Sequence, residues 1–114
     1  MSEDIRIAVA SSDGDLVDQH FGRARSFFVF QLRDGEAEFV EERIGRPFCH
    51  GDEEVDESLK EAPELLSDCQ EVYVLEFGKC AEDALMERGV RPIKCKGSVE
   101  EVVLRRAKTT AGPC

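Results

Sequence analysis

Apolar and polar positions change rhythm several times along this chain, and each change marks an element. Ile5 to Ala10 (IRIAVA) is a β-branched run with Ile5, Ile7 and Val9 on one face, which predicts a strand. It stops at the turn cluster Ser11-Ser12-Asp13-Gly14-Asp15. A polar loop through Val17-Asp18-Gln19-His20-Phe21-Gly22 leads to a second predicted strand, Ser26 to Leu32. Asp34-Gly35 then signals a two-residue hairpin, and a third strand, Ala37 to Arg43, pairs back antiparallel. These three strands form a meander.

Beyond Ile44 the period lengthens. Gly45 to Gly51 reads as a loop, and Asp52 to Asp68 as a helix with Val55, Leu59, Ala62, Leu65 and Leu66 near helical spacing. Pro63 within it predicts a kink or a split into two short pieces. Glu71 to Phe77 (EVYVLEF) is the next strand, with a centre apolar enough for burial on both faces. Lys79 to Arg88 is an amphipathic helix closed by Gly89 in the left-handed conformation. Val90 to Lys94 is a last strand. Ser98 caps a final helix, Val99 to Lys108, where Glu101 completes a capping box. Thr109 to Cys114 reads as a frayed tail.

The order βββαβαβα predicts a single α/β domain over residues 1–114, with its core at about 5–108 and one five-stranded mixed sheet flanked by helices. Ligands of such sheets gather at the carboxyl ends of the central parallel strands. The first and fourth strands are the expected central neighbours. The loops Ser11 to Arg25 and Gly78 to Cys80 should therefore line any site.

Composition changes the picture in one respect. An apolar fraction of 41% with 35% charged residues suits a folded domain of 114 residues. However, 25 acids against 15 bases leave a net charge of -10, which argues against non-specific binding to nucleic acid or anionic membranes. No apolar run approaches the ~20 residues that span a bilayer, and MSEDIRIAVA carries no signal peptide. The expected location is the cytoplasm, where five cysteines are reduced thiols suited to metal binding, redox chemistry or burial rather than disulfides. The charge is uneven. His50 to Glu71 carries nine acids and one base, whereas Arg91 to Cys114 has six bases and two acids. A solvated helix face accounts for the acidic block; HGDEEVDESLKE lacks the ligand spacing and mid-loop glycine of a calcium site.

Several residues could carry chemistry. His20 lies in the loop expected at the ligand end. It is either a structural hydrogen-bonding residue or a metal ligand whose second nitrogen Asp18 or a backbone carbonyl orients. Arg23 and Arg25 are either solvated or an electropositive rim for an anion. Cys80 opens a helix whose dipole favours a thiolate, and its other reading is a small buried apolar residue. Cys49 and His50 have the softness of metal ligands, although no CxxC pair exists in the chain. Cys69 and Cys95 read as core or edge residues, and Cys114 is terminal. Asp13, Asp15 and Asp18 could hold Mg²⁺ for hydrolysis, but they share one loop without acids at matching strand ends. A Cys80–His20 nucleophile pair would need an orienting group and an oxyanion hole.

Taken together, IRIAVASSDG, VDQHFGRARSFFVF and DCQEVYVLEFGKCAEDALMERGVRPIKCKGSVEEVV resemble the dinitrogenase iron–molybdenum cofactor biosynthesis family over Ile5 to about Arg106. The DQHFG loop and the aromatic strand after it are the most specific part. The resemblance implies a ribonuclease H-like α/β fold and a non-enzymatic protein that binds an iron–sulfur or iron–molybdenum-type cluster and passes it between cofactor-assembly proteins. It implies that His20, within Asp18-Gln19-His20-Phe21-Gly22, is the cluster-binding histidine. Two other functions compete: a metal-dependent hydrolase built on the three aspartates, and a cluster-free regulatory domain whose acidic segment docks a basic partner.

Overall fold

A computed structural model describes residues 5–21, 24–33, 35–45 and 62–108. The predicted loop beyond Gly45, the helix before Ala62, the tail, and the candidate residues Gly22, Arg23, Cys49 and His50 lie outside the described residues. The strands are β1 (Ile5–Ala10), β2 (Ser26–Arg33), β3 (Glu36–Ile44), β4 (Glu71–Val74) and β5 (Arg91–Lys94). The helices are α1 (Ala62–Leu65), α2 (Lys79–Glu87) and α3 (Val99–Lys108).

The strands form one mixed sheet in the order β3-β2-β1-β4-β5. β1 pairs antiparallel with β2 and β2 with β3, while β4 runs parallel to β1 and β5 parallel to β4. β1 and β4 are thus the central parallel neighbours. Arg33 and Glu36 are register partners, and Gly35 adopts φ +80°, a conformation that costs glycine least. Among the described strands β3 forms one edge of the sheet, and along it Glu36, Glu38, Glu41 and Glu42 are all exposed.

Side chains alternate across the sheet because a strand has period two. Ala8, Ala10, Phe27, Val29, Val72 and Val74 share one buried cluster with Leu66 and with Ala81 and Leu85 of α2. Ile7, Val9, Leu32 and Tyr73 share the other with Val99, Val102 and Val103 of α3. Helices therefore cover both faces, and β4 is buried along its whole length.

Local signals explain where elements stop. α2 ends in a Schellman motif: Val90 N–H donates to Leu85 O (2.9 Å), Gly89 N–H donates to Met86 O (3.0 Å), and Gly89 takes φ +77°. At the start of α3 the Ser98 hydroxyl accepts from Glu101 N–H at 3.0 Å. The reciprocal half of the expected capping box is replaced, because the Glu101 carboxylate pairs with Arg105 one turn on, at 2.6 Å. Pro63 sits in the first turn of α1, where a missing N–H costs nothing. β4 is three residues shorter than expected, and the residues after Val74 pair with a loop instead.

Two polar networks tie the layers together at the end of the sheet where β4 begins. Asp68, just after α1, accepts from Arg43 Nη2 of β3 and from Arg6 Nη1 of β1, each at 2.9 Å, and Arg43 also donates to Leu65 O. On the opposite face, buried Glu71 accepts from the Tyr73 hydroxyl (2.9 Å) and from Arg106 Nε of α3 (2.8 Å). Burial, with the Glu71 charge, pushes the Tyr73 phenol well above its usual range.

The Arg43 guanidinium, opposed by partial burial and assisted by Arg6, holds the Asp68 carboxyl well below the usual carboxylate range. A depressed folded-state value means that the stabilisation is complete above the unfolded value of about 4 and fades as pH falls toward the folded one. Asp68→Asn is expected to cost about 1 kcal/mol at neutral pH, since the pair is half exposed and screened. It should also flatten the loss of stability below about pH 4. Urea denaturation of both proteins across pH 2.5–7 measures this; identical acid limbs would show that Asp68 is not the responsible group.

Candidate functional site

The loop after β1 is built by side chains that satisfy its backbone. The Ser11 hydroxyl accepts from Gly14 N–H (2.9 Å), and Asp13 Oδ1 accepts from Asp15 N–H (2.8 Å) and Leu16 N–H (3.4 Å). Asp18 Oδ2 accepts from the Ser12 hydroxyl (2.7 Å), and its Oδ1 accepts from Ser12 N–H (3.0 Å) and Gln19 Nε2 (3.3 Å). These bonds hold both carboxyls below their ordinary values, Asp13 chiefly through the Asp15 amide and Asp18 chiefly through the Ser12 hydroxyl. Gly14 adopts φ +82°, and a Cβ there would lie 3.0 Å from the Phe28 ring. The positive φ favours glycine, and a side chain there would also have to displace the Phe28 ring.

Two further sets of bonds fix where this loop points. Val17 N–H donates to Gly97 O (2.9 Å) and Val99 N–H to Asp15 O (2.8 Å), which stitches the loop to the entry of α3. Further on, Leu75 N–H donates to Gln19 O (2.9 Å) and Phe21 N–H to Glu76 O (2.8 Å). His20 and Glu76 thereby form a parallel bridge just past the carboxyl ends of β1 and β4. Partners in such a bridge present side chains to the same side, so the imidazole and the Glu76 carboxylate are neighbours.

The next side chain locks this arrangement. Phe21 is fully buried and packs against Phe27 with ring centroids 6.0 Å apart. The imidazole of His20 is exposed and makes no hydrogen bond or ion pair with another described residue. One residue is the anchor and its neighbour is presented to solvent.

Around His20 the chain supplies charge rather than further ligands. Lys94 Nζ, at the end of β5, lies 2.6 Å from Glu76 Oε1 and 5.3 Å from the centre of the Phe77 ring. Lys94 holds the Glu76 carboxyl below its ordinary value. An open cleft of about 390 Å³ is lined by Leu75, Glu76, Lys94, Cys95 and Lys96. Lys96 is exposed and has no ion pair among the described residues. Gly78 and Cys80 follow directly at the N-terminus of α2, where Gly78 offers no side-chain cap.

The structure sorts the sequence candidates. His20, Gly78 and Cys80 come to the expected end of the sheet, and Cys80 is an exposed free thiol, so its burial reading falls away. Asp18, expected to orient the imidazole, gives its oxygens to Ser12 and Gln19, while Phe21, which follows His20 in the same motif, is in the core. Arg25 is exposed at the entry to β2, and its carbonyl accepts from Gly45 N–H. Cys69 is buried, and burial pushes its thiol up to about 12. Cys95 is buried and disulfide-bonded, contrary to the expectation of five reduced thiols. Among the described residues, no three His, Cys, Asp or Glu side chains form a group that could hold a metal ion.

Sequence reasoning missed Glu76, Lys94 and Lys96. A glutamate inside the apolar run Val72–Phe77 was the available signal, together with two lysines flanking Cys95 at the carboxyl end of the last strand.

Helices on both faces of a mixed five-stranded sheet, with the exposed histidine of the loop at the carboxyl ends of β1 and β4, define a small α/β domain. The profile of the dinitrogenase iron-molybdenum cofactor family matches residues 3–109, and the chain belongs to that family. It is 36% identical to Protein NifX of Azotobacter vinelandii over 91 residues, 79% of this chain and 56% of that protein. It is 33% identical to Protein NifY of the same organism, over 97% of this chain and 46% of NifY. To the FeMo cofactor biosynthesis protein NifB of Frankia alni it is 31% identical, over 90% of this chain and 21% of NifB. The chain thus spans from about a fifth to a little over half of these relatives. The crystal structure of PH0822 has the same fold, with a TM-score of 0.71 at 21% identity over 90% of each chain.

Because Asp18 closes the loop that presents His20, Asp18→Ala is expected to cost about 1–2 kcal/mol through the hydrogen bonds lost at Ser12. It should also accelerate amide exchange at Ser12. Asp15→Ala, whose carboxylate makes none of these bonds, should leave that exchange unchanged. Native-state hydrogen exchange distinguishes the two; equal protection in both variants would remove the clasp.

Proposed function

We propose that this chain is a non-enzymatic carrier that takes an anionic metal–sulfur cluster, of iron–sulfur or iron–molybdenum type, at His20 and exchanges it with cofactor-assembly proteins. The observation that carries this reading is the exposed imidazole, which makes no hydrogen bond with another described residue and is held at the carboxyl ends of β1 and β4 beside Glu76 and Lys94. A cluster in transit needs a ligand it can leave. One histidine, with the exposed thiol of Cys80 at the same end, is a donor set for cargo rather than for a resident metal. Lys94 and Lys96 match the negative charge of a sulfide-rich cluster, although the chain as a whole carries -10.

Family membership and the likeness to NifB, a FeMo cofactor biosynthesis protein, support cofactor assembly as the setting. The strand order β3-β2-β1-β4-β5 supports a ribonuclease H-like assignment of the fold. Fold alone does not carry nuclease chemistry, and Asp13 and Asp18 spend their oxygens on the loop backbone and Ser12 rather than converging on one point. A cytoplasmic location accords with such a role. None of the described helices is long and apolar enough to cross a membrane.

Anaerobic reconstitution with ferrous iron and sulfide should give visible charge-transfer absorption. His20→Ala should lower the retained chromophore at least severalfold after desalting, and Cys80→Ser should lower it less. A chromophore of the same yield and spectrum in His20→Ala would refute His20 as the ligand.

A further inference from the structure

The cleft beside His20 contains its own anion. Glu76 stands between two chemistries: its backbone is paired with His20, and its carboxylate lies 2.6 Å from Lys94. Both charged side chains are about half exposed, so the pair is open to competition from solution. Lys94 is also placed over Phe77, which leaves the ammonium at the cleft wall when the carboxylate swings away. Lys96 lines the same cleft and has no carboxylate partner among the described residues. With Glu76 in place, the local cations exceed the local anion by one; with Glu76 displaced, the two lysines face an incoming group together.

We propose that the cleft formed by Leu75, Glu76, Lys94, Cys95 and Lys96 is an anion site and that Glu76 is its built-in competitor, admitting only groups of charge two or more. A monoanion offers Lys94 no more than Glu76 already does, and it must also approach a fixed negative charge. A dianion can engage Lys94 and Lys96 at once and releases Glu76 toward His20. The ligand class is a compact dianion such as an oxo- or thiometallate, free in solution or carried as part of a larger cargo. This deepens the proposed function by assigning its charge selectivity, and it rests on that reading for its biological meaning but not for its test.

The test titrates the full chain with sodium molybdate as the dianion and sodium formate as the monoanion, reading the Lys94 and Lys96 amide shifts by NMR. Glu76→Gln should tighten molybdate binding about tenfold, the effect of removing one contact charge at a partly screened site. It should also allow formate to bind, which the unmodified chain should not do. Lys96→Gln should weaken molybdate at least fivefold without changing the fold, as judged by unchanged shifts of the core amides.

Equal molybdate affinity in Glu76→Gln and the unmodified chain would overturn the proposal, as would formate binding as tightly as molybdate. A salt titration with sodium chloride at matched ionic strength separates specific binding from screening; identical shift changes with chloride would also overturn it. If the anion site behaves as stated while cluster binding ignores His20, the carrier reading fails alone. If cluster binding follows His20 but Glu76→Gln changes nothing, the anion site fails alone. The source of the dianion is read by repeating the Glu76→Gln comparison on cluster retention. Altered retention assigns the site to the cargo, and unaltered retention assigns it to a free metallate.

Discussion

The whole site depends on the parallel contact between β1 and β4 being carried beyond both strands. The ladder ends at Tyr73 on one side and Val9 on the other, yet Leu75 and Glu76 go on to bond Gln19 and Phe21 of the returning loop. The chain leaves β1, makes a turn fixed by Ser11, Ser12, Asp13 and Asp18, and comes back to pair where β4 would otherwise be bare. That return converts a polar loop into a rigid rim. Without it, His20 would be one more solvated side chain; with it, His20 is placed relative to Glu76, Lys94 and the start of α2.

The energetics follow from which residue lies beside which. Phe21, wholly buried against Phe27, supplies the apolar weight that keeps the loop docked; full burial of such a ring contributes about 1.5–3 kcal/mol. The polar bonds within the loop contribute less individually, and they satisfy the amides of Ser12, Asp13, Gly14, Asp15 and Leu16 on the path back. The two ionic networks around Asp68 and Glu71 sit where β4 begins, away from the site. The buried Glu71–Arg106 pair at one end and the half-exposed Glu76–Lys94 pair at the other separate stability from exchangeable charge along the same strands.

Much of this was legible in the residues. Alternation in IRIAVA and the aspartate–glycine hairpin specify the meander, and the placement of a site at the carboxyl ends of β1 and β4 follows from element order alone. Gly89 and Ser98 announced their helix ends because capping is local chemistry. What stayed hidden was non-local. Strand β4 looks seven residues long because five of the seven residues of EVYVLEF are apolar or aromatic, but only a contact with residues 19–21 decides that Glu76 leaves the sheet. For the same reason Asp18 looked like a partner for the histidine two positions away, when a hydroxyl six positions away was the better-placed donor. Glu101 chose Arg105 over the helix start, a competition that spacing alone does not rank.

The edge strand β3 has its own consequence for how this protein behaves in a crowded solution. An open strand edge invites a second copy to add on. If two β3 strands met antiparallel about Val40, Glu38 would stand opposite Glu42, and Phe39 would face Glu41, in both directions at once. Like charges set against each other across a strand pair oppose the pairing. The acidic edge thus opposes edge-to-edge stacking of a strand that exposes Phe39 and Ile44.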